Sequence, residues 1–261
     1  MSASSVVFVP HGSPMFALEP GAAGVALRAL AQQIGHPKAI VVLSPHWETD
    51  VPTVGLAEHP DTIYDFGGFD PTLYDIVYPV RGAPEIADHV VALLSAAGLP
   101  VAVDPRRGLD HGAWVPLRHM YPDATIPVVP ISLQPRHGVA HAFYVGKALS
   151  QLRDYGILIV ASGNITHNLM DWHRVRHSGQ ATPDYVREFA DWVHAQILAG
   201  NTEALLNYRT RAASGALAHP EEEHLLPLFT ALGAAGPSAK GLAFYRGISD
   251  HVIAMDGYRF H

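Results

Sequence analysis

The chain alternates short apolar runs with stretches of helical spacing. Apolar runs rich in β-branched residues predict buried strands, together with shorter late strands, at residues 6–10, 39–45, 101–103, 126–133, 156–161, 241–248 and 252–255. Helical spacing of apolar positions predicts helices at residues 22–34, 84–97, 113–121, 138–153, 183–199 and 202–208. This alternation predicts an α/β fold with a single domain over residues 1–261, in which helices cover both faces of a central, mostly parallel or mixed sheet.

Histidines follow three of the predicted strands, directly or after a short turn. His11 comes after the first strand, His46 after the second and His167 after the strand at 156–161. Because ligands of open α/β sheets bind at the carboxyl ends of the strands, we expect these three side chains to converge. Gly12 beside His11 permits a close backbone approach to a bound ion or substrate. The pattern predicts a metal site whose firmest ligands are His11 and His46.

Three more histidines have a context that suggests a role. His224 lies in the segment HPEEEHLLPL (residues 219–228), between acidic residues and an apolar run, and becomes a candidate ligand. The proline and acids of this segment predict a helix start. His219 at its beginning is a candidate substrate contact. His111 lies in a predicted loop before a helix, with a glycine next to it.

Composition strengthens the metal hypothesis and removes other functions. The chain has 17 histidines in 261 residues, about three times the roughly 2% of ordinary usage. They are spread along the sequence, so a terminal tag does not explain them. The absence of cysteine excludes disulfides, thiolate zinc sites and a cysteine nucleophile. A net charge of −7 gives no basic surplus, so we expect no nucleic-acid partner.

Targeting signals and other site motifs are not apparent in the sequence. The N-terminal residues lack a basic region and a long apolar stretch, and no run of about 18 apolar residues occurs. We therefore expect a cytoplasmic protein without a membrane partner. The segment 48–79 is rich in Pro, Gly, Asp and Tyr, which is typical of a lid or binding wall. Phosphate-binding glycine loops, a Gly-x-Ser-x-Gly elbow and a His-Glu-x-x-His helix do not occur.

The chemistry of an all-histidine site leaves two reactions open. Imidazole binds Zn²⁺ and Fe²⁺ well, whereas hard ions prefer oxygen ligands. A zinc ion would activate water for hydrolysis, and a ferrous ion would bind a catecholate and O₂ side by side for ring opening. The residues alone are compatible with both.

Several segments resemble the extradiol ring-cleaving dioxygenases of the DOPA 4,5-dioxygenase type, within the class III extradiol superfamily. The resemblance covers nearly the whole chain in the order of the family. It is carried by PHGSPMFAL from Pro10, VVLSPHWET from Val41, YDFGGF from Tyr64, LDHGAWVPL from Leu109, IPVVPISLQP from Ile126, SGNITHNL from Ser162, HPEEEHLLPLFTALGAAG from His219 and AMDGYRF from Ala254.

The resemblance implies an enzyme that opens the ring of a small catechol with O₂ and releases a semialdehyde. It implies a metal held by His11, His46 and His224, with Fe²⁺ as the active ion and Zn²⁺ as an alternative occupant. His167 corresponds to the acid/base of the family, which also approaches the metal as a fourth ligand, and His111 to a histidine that orients the substrate. Other class III enzymes have a glutamate where His224 stands. A zinc hydrolase and a non-catalytic metal-binding relative are the competing hypotheses.

Aromatic residues near the predicted ligands suggest how a catechol would be held. Trp47, directly after His46, is a candidate substrate contact. Tyr64, Phe66 and Trp114 are further candidates for the wall of an aromatic pocket.

Overall fold

Apolar runs of the sequence form the centre of a mixed sheet in a computed structural model of the chain, which describes residues 5–178, 181–237 and 240–261. The eight strands of the main sheet lie in the order β4-β3-β5-β2-β6-β1-β10-β7, and β8 and β9 form a separate pair. The strands are β1 Val6–Pro10, β2 Ala39–Glu48, β3 Thr53–Gly55, β4 Ala102–Asp104, β5 Val128–Leu133, β6 Ile157–Gly163, β7 Gly241–Tyr245, β8 Ile248–Ser249, β9 Ile253–Ala254 and β10 Gly257–Phe260.

Four central strands, β5, β2, β6 and β1, are parallel and almost completely buried. Their carboxyl ends meet at one edge of the sheet, because Pro10 pairs with Gly163 and Leu43 pairs with Ala161. The outer pairings of β3 with β5, β10 with β1 and β7 with β10 are antiparallel. The predicted α/β class with a mixed sheet is therefore confirmed.

Helices cover the sheet on both faces. They are α1 Gly21–Ile34, α2 Pro84–Ala96, α3 His111–Met120, α4 Gly138–Leu149, α5 Leu169–Ser178, α6 Asp184–Ala199, α7 Thr202–Leu206, α8 Tyr208–Arg211, α9 Gly215–Ala218 and α10 Leu226–Ala235. Helix α10 packs on α4 and on strands β1, β2 and β6, while α3 packs on α1 and on β2 and β6. Helices α10 and α3 thus both contact β2 and β6 in the middle of the sheet. Within the described ranges, no helix is long and apolar enough to cross a membrane.

The segment predicted as a long loop contains short regular elements that the sequence pattern does not indicate. Strand β2 continues through His46 to Glu48, so this histidine lies in the strand and not beyond it. Strand β3 follows, and a 3₁₀ helix spans Pro71–Asp75. Both elements are only three to five residues long, too short for a hydrophobic period to appear.

Two predicted helix starts are wrong in position. Helix α3 begins at His111 because the Asp110 side chain caps it by accepting a hydrogen bond from Ala113 N. His111 therefore belongs to the first helical turn and not to a loop. The acids after His219 do not begin a helix: residues 220–225 form bends and turns, and α10 starts at Leu226.

The end of the chain also departs from the prediction. The strand predicted at 241–248 is divided into β7 and β8, and the one at 252–255 is β9, outside the main sheet. Strand β10, which pairs with β1, and helix α5 were not predicted. Helix α5 is rich in polar residues, with a weak amphipathic pattern, and so lacked the usual signal.

Candidate functional site

The sheet edge brings the predicted histidines together. His11 follows β1, His46 lies near the end of β2, and His167 comes four residues after β6. The Nε2 atoms of His11 and His46 are 3.4 Å apart. Each ring reaches the edge because the parallel register of these three strands aligns their carboxyl ends.

His224 joins this group from the turn that precedes α10. Its ring centre lies 5.2 Å from that of His11 and 5.1 Å from that of His46, and the His11 and His46 rings are 5.2 Å apart. The turn is docked on the end of β6, where Asn164 N donates to the His224 carbonyl at 3.0 Å. Gly163 makes this approach possible, since a Cβ at that position would collide with the same carbonyl.

His111 approaches from the opposite side, on the first turn of α3. Its ring centre lies 4.0 Å from His46 and 5.7 Å from His11. The candidate ligand atoms of His11, His46 and His111 lie within 4.8 Å of one another, a second grouping that shares His11 and His46 with the triangle described above. The distances between ring centres in this second grouping are 4.0, 5.2 and 5.7 Å, and are therefore less equal than those in the triangle with His224.

His167 lies beside His224 in a different geometry. The two rings are stacked, with centres 3.4 Å apart and planes tilted by 10°. Together with Glu223, these histidines place candidate ligand atoms within 4.8 Å of one another. Glu223 Oε1 lies 2.9 Å from His224 Nδ1 and 3.9 Å from His167 Nδ1. The carboxylate thus faces both rings at their Nδ1 side.

Hydrogen bonds determine which nitrogen of His11 is free. Its Nδ1 lies 3.0 Å from Ser162 Oγ, and that hydroxyl donates its own proton to the carbonyl of Gly112. The serine oxygen must therefore accept from Nδ1–H, which leaves Nε2 without a proton. Asn164 Nδ2, 3.4 Å from Nε2, is a donor and agrees with this tautomer.

Asp65 holds two more rings of the site, and the sequence pattern did not single it out. Its Oδ2 lies 3.2 Å from His46 Nδ1 and 2.9 Å from His111 Nδ1, and its Oδ1 accepts from His111 N at 2.8 Å. Burial alone would raise the pKa of Asp65, but the hydrogen bonds and charge of His111, together with His46, lower it to about 2. Asp65 is therefore a carboxylate at neutral pH.

Four imidazoles of the cluster, those of His11, His46, His167 and His224, are unprotonated at neutral pH. Burial lowers the pKa of His11 and of His224 well below 6.5, and the neighbouring imidazoles lower it further. Burial and then nearby imidazoles also lower the pKa of His46 and of His167 to about 3. Because a metal binds the unprotonated imidazole, the cluster is already in the protonation state of a ligand set.

The donor set fits a metal ion of the Zn²⁺ or Fe²⁺ type. The Nε2 atoms of His11 and His46 face each other at 3.4 Å, a separation that two nitrogens bound about 2.1 Å from one ion can have. Three imidazoles bound through nitrogens about 2.1 Å from one ion have ring centres roughly 5 Å apart. The triangle that includes His224 has this spacing on all three sides.

A pocket of about 390 Å³ opens onto the cluster. Phe66 and Phe69 of the segment 48–79, together with Trp172 of α5, supply aromatic wall, and His46, His111, His167 and His224 form its floor. A catechol is small enough for this volume, which lies in the usual range of ligand pockets. The predicted binding wall thus lies at the pocket, whereas α5 was not foreseen.

Gly12 also lines the pocket, next to His11. Its φ of +60° is a conformation that L side chains rarely adopt, and a Cβ there would press on Met255 at 3.0 Å. The backbone N–H of Gly12 donates to Asn164 Oδ1 at 3.1 Å. Glycine at this position therefore keeps the turn after β1 tightly packed against the end of β6.

The two predicted substrate contacts lie away from this wall. Trp47 is buried, and the guanidinium of Arg107 stacks over its ring at 4.7 Å. His219 is fully buried, packs edge-on against Phe189 and Tyr208, and bonds the Ile165 carbonyl at 2.8 Å through Nε2. The structure therefore brings neither of them into the set of pocket-lining side chains.

Burial of His219 predicts a pH-dependent stability. Burial lowers its pKa to about 4 from an ordinary 6.5. Between these pH values the unfolded chain binds a proton that the folded chain does not, so the free energy of unfolding falls as the pH falls. For one proton the slope is about 1.4 kcal/mol per pH unit. A His219→Gln variant should lose this part of the slope, as measured by urea denaturation of metal-free protein at pH 5 and pH 6.

The slope must be compared between the unaltered protein and the His219→Gln variant, because other buried groups change the free energy of unfolding in the opposite direction as the pH falls. Burial raises the pKa of Glu48 and of Glu223, and carboxyls of this kind stabilise the fold as the pH falls. Both proteins share these groups, so the difference between the two slopes isolates His219. Equal slopes for the two proteins would contradict the assignment of a neutral, buried His219.

Comparison with known proteins relates this geometry to a family. The family described as the catalytic LigB subunit of aromatic ring-opening dioxygenase matches residues 7–254. This range contains all the histidines of the cluster.

Individual relatives match over most of their length. The chain is 38% identical over 260 residues to a protein of Mirabilis jalapa named 4,5-DOPA dioxygenase extradiol, covering 97% of this chain and 95% of the relative. It is 42% identical over 235 residues to a protein of the same name from Escherichia coli K12, covering 87% and 84%. A crystal structure of an uncharacterized Escherichia coli K12 protein superposes with a TM-score of 0.82 at 34% identity, covering 98% of this chain and 99% of that one.

Proposed function

The chain belongs to the LigB family of aromatic ring-opening dioxygenases, and we propose that its substrate is a small DOPA-like catechol opened at a metal held by His11, His46 and His224. The enzyme is an extradiol dioxygenase, an oxidoreductase. This family membership removes the zinc hydrolase that the residues alone left open. Substrate, metal and residue roles are the parts that require experiment.

One observation carries the proposal: a triangle of neutral imidazoles borders a pocket with an aromatic wall. The rings of His11, His46 and His224 stand 5.1–5.2 Å apart. His46 and His224 line the pocket of about 390 Å³, and His11 is fully buried next to them. Three protein ligands leave positions open for a substrate, as in catalytic rather than structural metal sites.

Ferrous iron is the ion that this chemistry requires. Bound Fe²⁺ supplies the means to bring a catecholate and O₂ together and to transfer electrons between them. The ring bond beside the diol breaks, the O–O bond breaks, and both oxygen atoms enter the semialdehyde product. Zn²⁺ suits the same imidazoles but does not change oxidation state, so a zinc-loaded protein would be inactive.

His167 is the residue we assign to proton transfer. It lines the pocket, and its neutral imidazole can accept a proton from a catechol hydroxyl and return it later in the reaction. Glu223 Oε1, 3.9 Å from its Nδ1, is placed to stabilise the protonated ring. The stacked geometry disfavours His167 as a ligand alongside His224, because the lone pairs of the two rings lie in nearly parallel planes, whereas the lone pairs of ligands of one ion must point to a common position.

His111 is the residue we assign to substrate orientation. Asp65 accepts its Nδ1–H, so its Nε2 is an acceptor toward the pocket that it lines. Phe66 packs edge-on against this ring at 5.6 Å and continues the aromatic wall. A flat catechol between these side chains would be held with its hydroxyls toward the cluster.

Charge at the pocket favours a substrate with an ammonium group. Glu48, Glu221 and Glu223 line the pocket, and no lysine or arginine does so among the residues whose side chains are described. DOPA carries an ammonium group on a flexible side chain, whereas protocatechuate and caffeate carry only a carboxylate. We therefore expect DOPA to have the highest kcat/KM of the three.

Reconstitution tests the proposal directly. Metal-free protein is loaded anaerobically with Fe²⁺, mixed with DOPA, caffeate or protocatechuate, and exposed to air. The expected result is one O₂ consumed per catechol and a yellow semialdehyde, with no reaction for the metal-free and the Zn²⁺-loaded protein. Mass spectrometry of the product made with ¹⁸O₂ should show two labelled oxygen atoms.

The outcomes separate the parts of the proposal. Absence of O₂ uptake with every catechol, from protein that binds Fe²⁺, would make the chain a non-catalytic metal-binding relative. Turnover of protocatechuate faster than DOPA would overturn the substrate class while leaving the ring opening intact.

A further inference from the structure

A single carboxylate lies against three nitrogen atoms at the edge of the candidate site. Asp65 Oδ2 faces His46 Nδ1 and His111 Nδ1, and Oδ1 faces the backbone N–H of His111. The Asp65 side chain is only 21% exposed. An ionised carboxylate only accepts hydrogen bonds, so His111 Nδ1, which is hydrogen-bonded to Oδ2 at 2.9 Å, carries its proton. His46 Nδ1 lies 3.2 Å from the same oxygen, at ion-pair distance, and a proton on this nitrogen is favoured over a lone pair that faces the carboxylate.

The consequence for the two rings is a shared tautomer. With Nδ1 protonated, the lone pairs of His46 and His111 are at Nε2. For His46 this atom is the one that faces His11 Nε2 at 3.4 Å. A ligand histidine oriented through its other nitrogen by a carboxylate is a recurring arrangement in metal proteins. Here the same carboxylate also orients a ring that lines the pocket.

The carboxylate lies on the segment that forms the aromatic wall. Asp65 stands beside Phe66, which lines the pocket. The segment is anchored next to α3, since Trp114 Nε1 donates to the Ile63 carbonyl at 3.1 Å and Ile63 N donates to the Leu109 carbonyl at 2.8 Å. The position of the wall and the orientation of His46 and His111 are therefore set by one short stretch of chain.

We propose that Asp65 is a positioning residue that fixes the ring orientation and tautomer of His46 and His111 together. This inference rests on the proposed function for the roles of the two histidines. An amide at this position cannot replace the carboxylate. It has only one acceptor oxygen, and its NH₂ group would take the place of the other oxygen, beside either the two ring nitrogens or the backbone N–H of His111.

Asp65→Asn is the main test, with Asp61→Asn as the matched control. Asp61 is an exposed aspartate of the same segment whose backbone carbonyl accepts from Leu109 N, a bond that the control variant keeps. Metal-free proteins are titrated with Co²⁺ and followed by its visible absorption. We expect the Co²⁺ Kd of Asp65→Asn to rise ~10–100-fold, the range for loss of an outer-shell partner. Asp61→Asn should match the unaltered protein.

Readouts at saturating metal distinguish positioning from general loss of structure. The Co²⁺ absorption bands of Asp65→Asn should be shifted, and its kcat with Fe²⁺ and DOPA should fall more than KM rises. Asp65→Glu, which keeps a carboxylate, should recover part of the affinity. A Co²⁺ Kd, spectrum and kcat/KM within threefold of the control would overturn the inference.

The unaltered protein supplies a test that does not depend on the folding of a variant. In ¹⁵N-labelled metal-free protein, both His46 and His111 should show the tautomer protonated at Nδ1. Finding either ring protonated at Nε2 would refute the inference. If the unaltered protein opens no catechol but shows both tautomers and the Co²⁺ effect, the proposed function fails and the role of Asp65 stands.

Discussion

A His11→Ala variant is expected to lose metal binding and, with it, ring opening. His11 is fully buried, and its unprotonated Nε2 faces His46 Nε2, so the variant lacks one nitrogen of the proposed ligand set. Loss of a direct ligand should weaken Co²⁺ or Fe²⁺ binding by more than the ~10–100-fold typical of an outer-shell partner. The measurement is the metal content after dialysis, together with the Co²⁺ Kd and O₂ uptake with DOPA.

An exposed histidine provides the control for this variant. His36 lies outside the cluster, with its ring near Thr125 Oγ1 at 3.3 Å, and His36→Ala should bind Co²⁺ as the unaltered protein does. Thermal melting of the metal-free proteins reports whether His11→Ala is folded. Folded His11→Ala protein that keeps one equivalent of tightly bound metal would remove His11 from the ligand set.

The strand ends were the part of the site that the sequence predicted well. Position within a periodic pattern is sufficient to place a residue at the end of a buried strand, and parallel strands align these ends. The positions of His11 and His167 at one edge of the sheet could therefore be predicted without any tertiary information. His46 met them too, although its strand extends further than the apolar run suggested.

The supporting residues could not be predicted in this way. Asp65 and Ser162 act on rings that are 46 and 151 positions away in the sequence. Both stand in segments that carry the family resemblance, but no local pattern links either of them to a particular histidine. The role of Asp65 depends on how the segment 48–79 folds over the sheet edge, and that of Ser162 depends on the pairing of β6 with β1. Aspartates in loops and serines in strands are both common, so their chemistry becomes visible only when their partners are known.

Local rules failed where tertiary contacts or capping competed with them. Proline and three acids after His219 satisfy the rules for a helix start, yet the segment stays in turns. There the His224 carbonyl accepts from Asn164 N at the end of β6, and the Tyr208 hydroxyl donates to Glu222 at 2.9 Å. These contacts hold the turn in the position that brings His224 to the cluster. At α3 the capping side chain of Asp110 has the opposite effect: the helix begins earlier than predicted, so that His111 lies in its first turn.

His167→Ala is expected to lose turnover while it keeps most of its metal. The ring of His167 lies parallel to His224 at 3.4 Å, so its lone pair does not converge with that of His224, and its removal leaves His11, His46 and His224 in place. Loss of a group that transfers protons should lower kcat by ~10²–10⁴-fold. Metal content and single-turnover kinetics with DOPA would measure the two effects separately.

His173→Ala is the matched control, because His173 also lines the pocket but is exposed and lies on α5, away from the cluster floor. It should retain metal and turn over DOPA within a few-fold of the unaltered protein. If His167→Ala instead loses its metal as completely as His11→Ala, His167 is a ligand first, and proton transfer must be assigned to another side chain of the pocket. The two rings would then have to leave their stacked arrangement on metal binding, so that both lone pairs point to the ion.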